Sequence, residues 1–306
     1  MKLDPQILAR VAGDIDLWPD FESLCDFGGR LSGTAGERAS LDWLKRRGAE
    51  AMGVPAQVVP VPYGGWTARR AELIMADGRP APCHPLVRTI ATPPGGLSAE
   101  VIDIGRGTPE EFEAHRDEIA GRIVLVRHEL MFAAGTVHRR RKYDAARAAG
   151  AVGFLIAGPL NAGLVTGSSG RNGAEGIPGL GITSETAARL RPGPDGRPTV
   201  RMIIETDEAP AETETLLFDL PGTTDEWVVL SAHVDGHDLA ESAMDNASGV
   251  AAALAAARAL APVATKMRRG LRLAFFSVEE WALTGSAQYV EAMREEERAR
   301  IALNVN

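Results

Sequence analysis

The sequence predicts an α/β protein: a mixed, largely parallel sheet flanked by helices, with an inserted α/β domain rich in short strands. Three observations carry that expectation. Continuous apolar runs such as Trp227 to Leu230 suit strands covered on both faces. Strongly helical segments alternate with these runs. Between about 86 and 206 the texture changes, with frequent glycine and proline and loops such as "TGSSGRNGAEGIPGLG". The expected division is therefore 1–85, 86–206 and 207–306, the outer two segments building one domain around the middle one.

Residues 4 to 53 read as helical, with Ala39, Leu41, Leu44, Ala49 and Met52 at mixed three- and four-residue spacing and Gly53 as the stop. "AQVVPVPYGGWTARRAELIM" reads as strands broken by Pro60 and Pro62. Ile123 to Val126 is a buried strand, followed by a helix ending near Gly150 and a second buried strand, Val152 to Ile156. Strand, crossover helix and strand imply parallel pairing. Beyond residue 213, "EWVVLSAHVD" is a strand and "NASGVAAALAAARALAP" a helix, with Asn246 or Ser248 as N-cap and Pro262 just past its end. "LRLAFFSVEE" is another buried strand, "TGSAQYVEAMREEERAR" a helix with a charged outer face, and "IALNVN" the first half of a third strand.

At 45% hydrophobic and 24% charged, the 306 residues have the balance of a globular protein with ample core. The net charge of −8 gives no reason to expect a nucleic-acid partner. The basic run "HRRRK", His138 to Lys142, reads as a solvated helix face. The N-terminus carries Asp4, Asp14 and Asp16 without an apolar core, unlike a signal peptide, and no later window reads as a membrane span. Cys25 and Cys83 read as free thiols, so the expectation is a cytoplasmic protein with no membrane partner. No Gly-x-Ser-x-Gly motif occurs, which argues against a serine hydrolase.

The chemistry concentrates in "SAHVDGHDLAESAMDNASG", residues 231 to 249. One buried strand delivers His233 and Asp235, and another delivers Glu279 and Glu280. In parallel sheets ligands bind beyond the carboxyl ends of strands, so these tips can lie side by side. Asp245 falls between them in sequence, just before a helix. Imidazole with carboxylates suits Zn²⁺, and carboxylate-rich pairs suit two divalent ions. Taken alone, His233 reads as a satisfied core histidine, and the glutamates read equally as a solvated loop. Asp235, two residues on, can hold the imidazole's tautomer and orientation. Of the adjacent glutamates, one can bind metal while the other acts as a general base. His237, Asp238 and Glu241 read as polar loop residues, with His237 able to line the entrance.

The combination "HVD…MDNASGVAA…FFSVEEWALTGSAQYV" resembles the M28 family of co-catalytic zinc aminopeptidases and carboxypeptidases, and "RLSGTAGERASLDWL" resembles that family's opening helix. The segment "GRIVLVRH…DAARAAGAVGFLIA…GIPGLGITSETAARL" is similar to a protease-associated (PA) domain. The resemblance implies a zinc-dependent exopeptidase acting on peptides, an aminopeptidase rather than a carboxypeptidase, with two Zn²⁺ per site. It implies that His233 binds one metal, Glu280 the other, and Asp245 bridges both. Glu279 would be the general base, with Asp235 orienting His233. The family also uses an aspartate at the end of the next strand and a histidine near its C-terminus. Here that strand reads "LNVN": if Asn304 matches the family asparagine, Asn306 stands where the aspartate belongs. The histidine has no counterpart. The expectation is a truncated M28 protein with an incomplete ligand set, impaired as a catalyst, or else a non-catalytic interaction scaffold of the same descent.

Overall fold

The computed structural model describes residues 4–130, 133–165, 167, 170–171, 175–194 and 196–306. The chain divides into two compact units, residues 1–65 with 210–306, and residues 66–209. The inserted unit starts at Trp66 rather than 86 and ends at Ala209 rather than 206.

Helices α1 (Pro5–Ala12), α2 (Leu17–Asp26) and α3 (Ala35–Met52) open the first unit. Thr34 caps α3 by accepting the Glu37 amide at 3.3 Å, and Gly53 ends it in the left-handed region at φ 70°. The next segment is one strand, β1 (Gln57–Ile74), unbroken by Pro60 and Pro62, contrary to the expectation. The two prolines are two residues apart, so their missing N–H groups fall on the same edge of the strand. The far end of β1 belongs to the inserted unit, where Leu73 and Ile74 pair with Ala81 and Pro80.

The inserted unit contains β2 (Pro80–Ala81), β3 (Cys83–Pro85), β4 (Leu97–Asp103), α4 (Pro109–Ala114), α5 (Arg116–Ile119) and β5 (Ile123–Arg127). There follow α6 (Arg139–Ala148), β6 (Gly153–Ala157), β7 (Gly179–Ile182), α7 (Ser184–Arg189) and the start of β8 (Thr199–Leu220). Its strands run β8-β4-β5-β6-β7-β3, parallel from β4 to β7 and antiparallel at both ends. The βαβ reading of β5, α6 and β6 is met, with Val124 opposite Phe154 and Leu125 opposite Leu155, all fully buried. The basic run is not uniformly solvated. Arg141 is exposed, but Lys142 is buried and pairs with Glu129 at 2.7 Å.

The first unit resumes with the end of β8, then β9 (Trp227–His233), α8 (Ser248–Leu260), β10 (Gly270–Phe276), α9 (Thr284–Ala292), α10 (Glu295–Ala299) and β11 (Ile301–Val305). The order is β11-β9-β10-β8, with β9 parallel to both neighbours and β10 antiparallel to β8. Of the two expected caps of α8, Asn246 does the work, its Oδ1 accepting the Gly249 amide at 3.1 Å. Pro262 sits inside a 3₁₀ turn, Ala261–Lys266, that prolongs the helix. The resulting stretch Ala243–Lys266 is 24 residues long with mean hydropathy 1.5, long and apolar enough to span a membrane, which the sequence reading did not expect. Here it serves as a core helix: Val250, Leu254 and Ala257 are fully buried with Leu24, Leu44, Phe218 and Phe275. Truncating Leu254 to alanine in such a core costs about 2–5 kcal/mol.

Candidate active site

Strands β9 and β10 run in register, His233 opposite Phe276, so both chains emerge from the sheet at the same level. The Val234 amide still donates to the Phe276 carbonyl at 2.8 Å, holding the tips together one residue further. Asp235 then clamps them. Its carboxylate is fully buried and accepts the backbone N–H groups of Glu279 at 3.0 Å and Glu280 at 3.1 Å, and the Ser32 hydroxyl at 3.1 Å. One side chain from β9 thus fixes the two glutamates that follow β10. Its relation to His233 differs from the expectation. The imidazole Nδ1 lies 3.0 Å from the Asp235 backbone carbonyl and 3.7 Å from the carboxylate, because that carboxylate is committed to the glutamate amides.

With Nδ1–H donated to a carbonyl, Nε2 is the nitrogen left for the site: protonated it donates to a carboxylate, and deprotonated it offers a lone pair. That atom faces Asp245 Oδ1 at 2.9 Å and Glu279 Oε2 at 4.0 Å. Asp245 is brought there by a kinked π-type turn, Ala243–Ala247, in which it departs from helical angles at φ −124°, ψ 88°. Burial alone would discourage a charged imidazole, but the carboxylates of Asp235, Asp245 and Glu279 outweigh it and raise the His233 pKa to about 10. The site electrostatically calls for a cation at Nε2. Glu279 is shifted upward, first by burial and then by neighbouring Glu280, Asp235 and Asp245, against the opposing pull of His233.

Glu280 is buried and meets His237, Nε2 to Oε2 at 2.9 Å. This contact was not foreseen: His237 reads in the sequence as a loop residue, and only its proximity to the cluster hinted otherwise. Glu280 Oε1 and His237 Nδ1 are buried without a hydrogen-bond partner. Both are atoms that a cation or water would satisfy. The loop bearing His237 approaches residue 29 so closely that a Cβ there would stand 2.6 Å from the His237 carbonyl, so Gly29 is required. The donor types and the orphaned oxygen fit a divalent metal. Among the described residues, however, no three His, Cys, Asp or Glu side chains converge on one point. Asp238 is exposed, and Glu241 contributes only its carbonyl, which accepts from Arg30 at 2.9 Å.

Asn306 lies past β11, beside Ser231 of β9, whose hydroxyl reaches Asn304 Oδ1 at 3.0 Å and Asn306 Oδ1 at 3.2 Å. Its amide oxygen therefore sits beside a residue two positions back along β9 from His233 and carries no formal charge. Two further buried groups were invisible in the sequence. Glu37 of α3 accepts the Gly33 amide at 2.6 Å and the Thr213 hydroxyl at 2.9 Å, and burial still pushes its pKa up to about 7. Arg30 is fully buried and bonded to backbone carbonyls. A separate cavity of about 430 Å³, lined by Leu217, Trp227, Arg272 and Tyr289 among others, includes none of the candidate ligands.

Residues 215–306 match the model of peptidase family M28, and residues 84–190 match the PA domain. The chain is 28% identical over 290 residues to a probable lipoprotein aminopeptidase of Mycobacterium tuberculosis, covering 91% of this chain and 54% of that protein. It is 28% identical over 304 residues to an aminopeptidase of Pseudomonas aeruginosa, covering 94% and 54%. Carboxypeptidase Q of Bos taurus is 24% identical over 281 residues, covering 86% and 58%. The chain thus spans about half the length of the curated relatives it matches. In fold it is similar to a zinc aminopeptidase from Bacillus subtilis, with TM-score 0.72 and 24% identity over 95% of this chain and 68% of that one. An M28 peptidase precursor from Shewanella amazonensis gives TM-score 0.76 and 22% identity over 98% and 72%. Clamped strand tips, a histidine facing carboxylates and these two matches converge on one likeness: the chain is similar to peptidase family M28 over residues 215–306 and to the PA domain over residues 84–190.

Proposed function

We propose that the tips of β9 and β10 form the zinc-dependent hydrolytic centre of an exopeptidase that removes terminal residues from peptides, an aminopeptidase rather than a carboxypeptidase. The observation that carries this reading is the orientation of His233, with Nδ1 fixed by the Asp235 carbonyl and Nε2 turned toward Asp245. The family match and the two relatives described as aminopeptidases support it. His233, Asp245 and Glu280 would hold the metal. Zinc, when bound, supplies Lewis acidity at the scissile carbonyl and a water of lowered pKa.

The chain's own residues then divide the remaining work. Glu279 sits with its carboxylate next to the imidazole, one-third exposed, where it can take a proton from the attacking water and return it to the leaving amine. Its upward-shifted pKa brings it closer to the range where a carboxylate both accepts and releases a proton. Asp235 keeps Glu279 and Glu280 in place through their backbone, and His237 orients Glu280. With donors in pairs rather than triads among the described residues, this reading expects weak zinc affinity and low turnover.

That same pairing favours one alternative, a metal-free interaction scaffold. The two separate on titrating the chain with Zn²⁺ against a chromophoric chelator while following leucyl-p-nitroanilide and a blocked dipeptide carboxypeptidase substrate. The exopeptidase reading expects zinc-dependent release from the nitroanilide and little from the blocked dipeptide. Failure to bind zinc and to turn over either substrate would leave the scaffold.

A further inference from the structure

Arg30 presents an unusual use of a charge. Its side chain is fully buried, yet among the described residues every hydrogen-bond partner of its guanidinium is a backbone carbonyl. Nε donates to Val234 at 2.9 Å, Nη1 to Leu24 at 2.7 Å and Glu241 at 2.9 Å, and Nη2 to Ser242 at 2.9 Å. A longer contact from Nη1 reaches Gly28 at 3.4 Å. The backbone joins in, since the Arg30 carbonyl accepts the Gly236 amide at 3.1 Å. Arg30 therefore grips the β9 tip on both sides of Asp235. The same guanidinium holds Glu241 and Ser242, the residues leading into the turn that carries Asp245.

We propose, resting on the hydrolytic reading of this site, that Arg30 is a positioning residue that fixes the spacing between the His233 tip and the Asp245 turn. A planar guanidinium with five spread donors holds four carbonyls from three segments at once, whereas an ammonium offers three donors from a single nitrogen. The gripped turn needs such a hold. Ser242 lies in the left-handed region at φ 50°, and it packs so closely on Gly236 that a Cβ there would stand 2.2 Å from Ser242 Oγ. Ser242 Oγ accepts the His237 amide at 3.0 Å and Asp245 meets His233 at 2.9 Å, and Arg30 adds a hold that comes from outside both the turn and β9. Leu24, at the end of α2, supplies the third fixed point and ties the brace to the helical layer.

The test compares the chain with Arg30→Lys and Arg30→Ala by two readouts. Amide hydrogen exchange at Gly236 and Ala247 reports the brace without substrate or metal, and is expected to accelerate about tenfold or more in both variants. In zinc-supplemented leucyl-p-nitroanilide assays, kcat is expected to fall about 10–100-fold with KM within about twofold. Added guanidinium should restore part of the loss in Arg30→Ala but not in Arg30→Lys, whose ammonium fills the place. Unchanged exchange in Arg30→Lys, or a change spread evenly over the unit, overturns the proposal. If Arg30→Ala does not fold, Arg30→Lys, which keeps the charge, decides alone. If the parent chain shows no turnover, the hydrolytic reading fails while exchange still decides whether Arg30 braces the turn.

Discussion

His233 ends β9 and His128 follows β5, so the two occupy corresponding places at the carboxyl tips of parallel strand pairs in the two units. Their surroundings drive them in opposite directions. Burial lowers the pKa of His128 to about 4, and nearby Arg139, Lys142 and His138 add to the effect. Burial acts the same way on His233, but the carboxylates around it reverse the outcome and carry it to about 10. In the inserted unit the half-buried acids meet cations of fixed charge: Asp103 meets Arg127 at 2.6 Å, and Glu129 meets both Arg106 and Lys142. At the β9–β10 tip the acids meet imidazoles, whose positive charge is exchangeable. Equal topology with unequal tip residues separates a tip that stabilises from one that can do chemistry.

Two substitutions break this contrast most sharply. Glu279→Gln removes the carboxylate beside His233 while keeping its shape. Turnover of leucyl-p-nitroanilide is expected to drop about 10²–10⁴-fold, with the thermal midpoint nearly unchanged. Activity that survives this change rules out Glu279 as the base. Glu129→Gln does the converse. It strips the counter-charge from Lys142, whose side chain is 0% exposed, and should destabilise the inserted unit by about 3 kcal/mol in urea unfolding without altering turnover. Little change in unfolding would mean that the Arg127 carbonyl, which Lys142 also meets at 2.8 Å, suffices for the ammonium.

How much of this was legible in the sequence follows from what each feature depends on. Apolar runs and their ends revealed β9, β10 and the βαβ unit, because burial on both faces leaves a local mark. The ligand candidates were legible because strand tips in parallel sheets are where side chains become available. Arg30, Glu37 and His237 were not. Arg30 reaches Ser242 across 212 positions and Glu37 reaches Thr213 across 176, so no local pattern records either pairing. Asp235 was assigned to the right neighbourhood, but its hold on the two glutamates was not legible, since a two-residue spacing says nothing about amides 44 and 45 residues away. Pro60 and Pro62 misled for the opposite reason: they are strong local signals whose effect depends on which strand edge needs donors.

Asp235→Asn tests the clamp itself. One oxygen survives as an acceptor, but the new NH₂ faces a backbone N–H of Glu279 or Glu280, so the two glutamates shift while His233 keeps its carbonyl partner. A loss of about 10–100-fold in kcat or zinc affinity is expected, smaller than for Glu279→Gln. Wild-type values for both would show that the 279–280 backbone holds its place unaided.

The smallest effect concerns acid. Burial would raise the Glu129 carboxyl, but hydrogen bonds from Lys142 and Arg106 prevail and hold it at about 2, against an ordinary value of 4.5. A depressed carboxyl binds fewer protons folded than unfolded, so its contribution is complete above about pH 4.5 and is lost as the pH falls toward 2. The difference in thermal midpoint between the wild-type chain and Glu129→Gln should therefore be widest at neutral pH and close progressively over that window. Other acids titrate in the same range in both proteins, so the comparison rests on the difference between them. A gap that stays constant down to pH 2 would mean that Glu129 stabilises by packing, and the charge contrast between the two strand tips would lose its energetic basis.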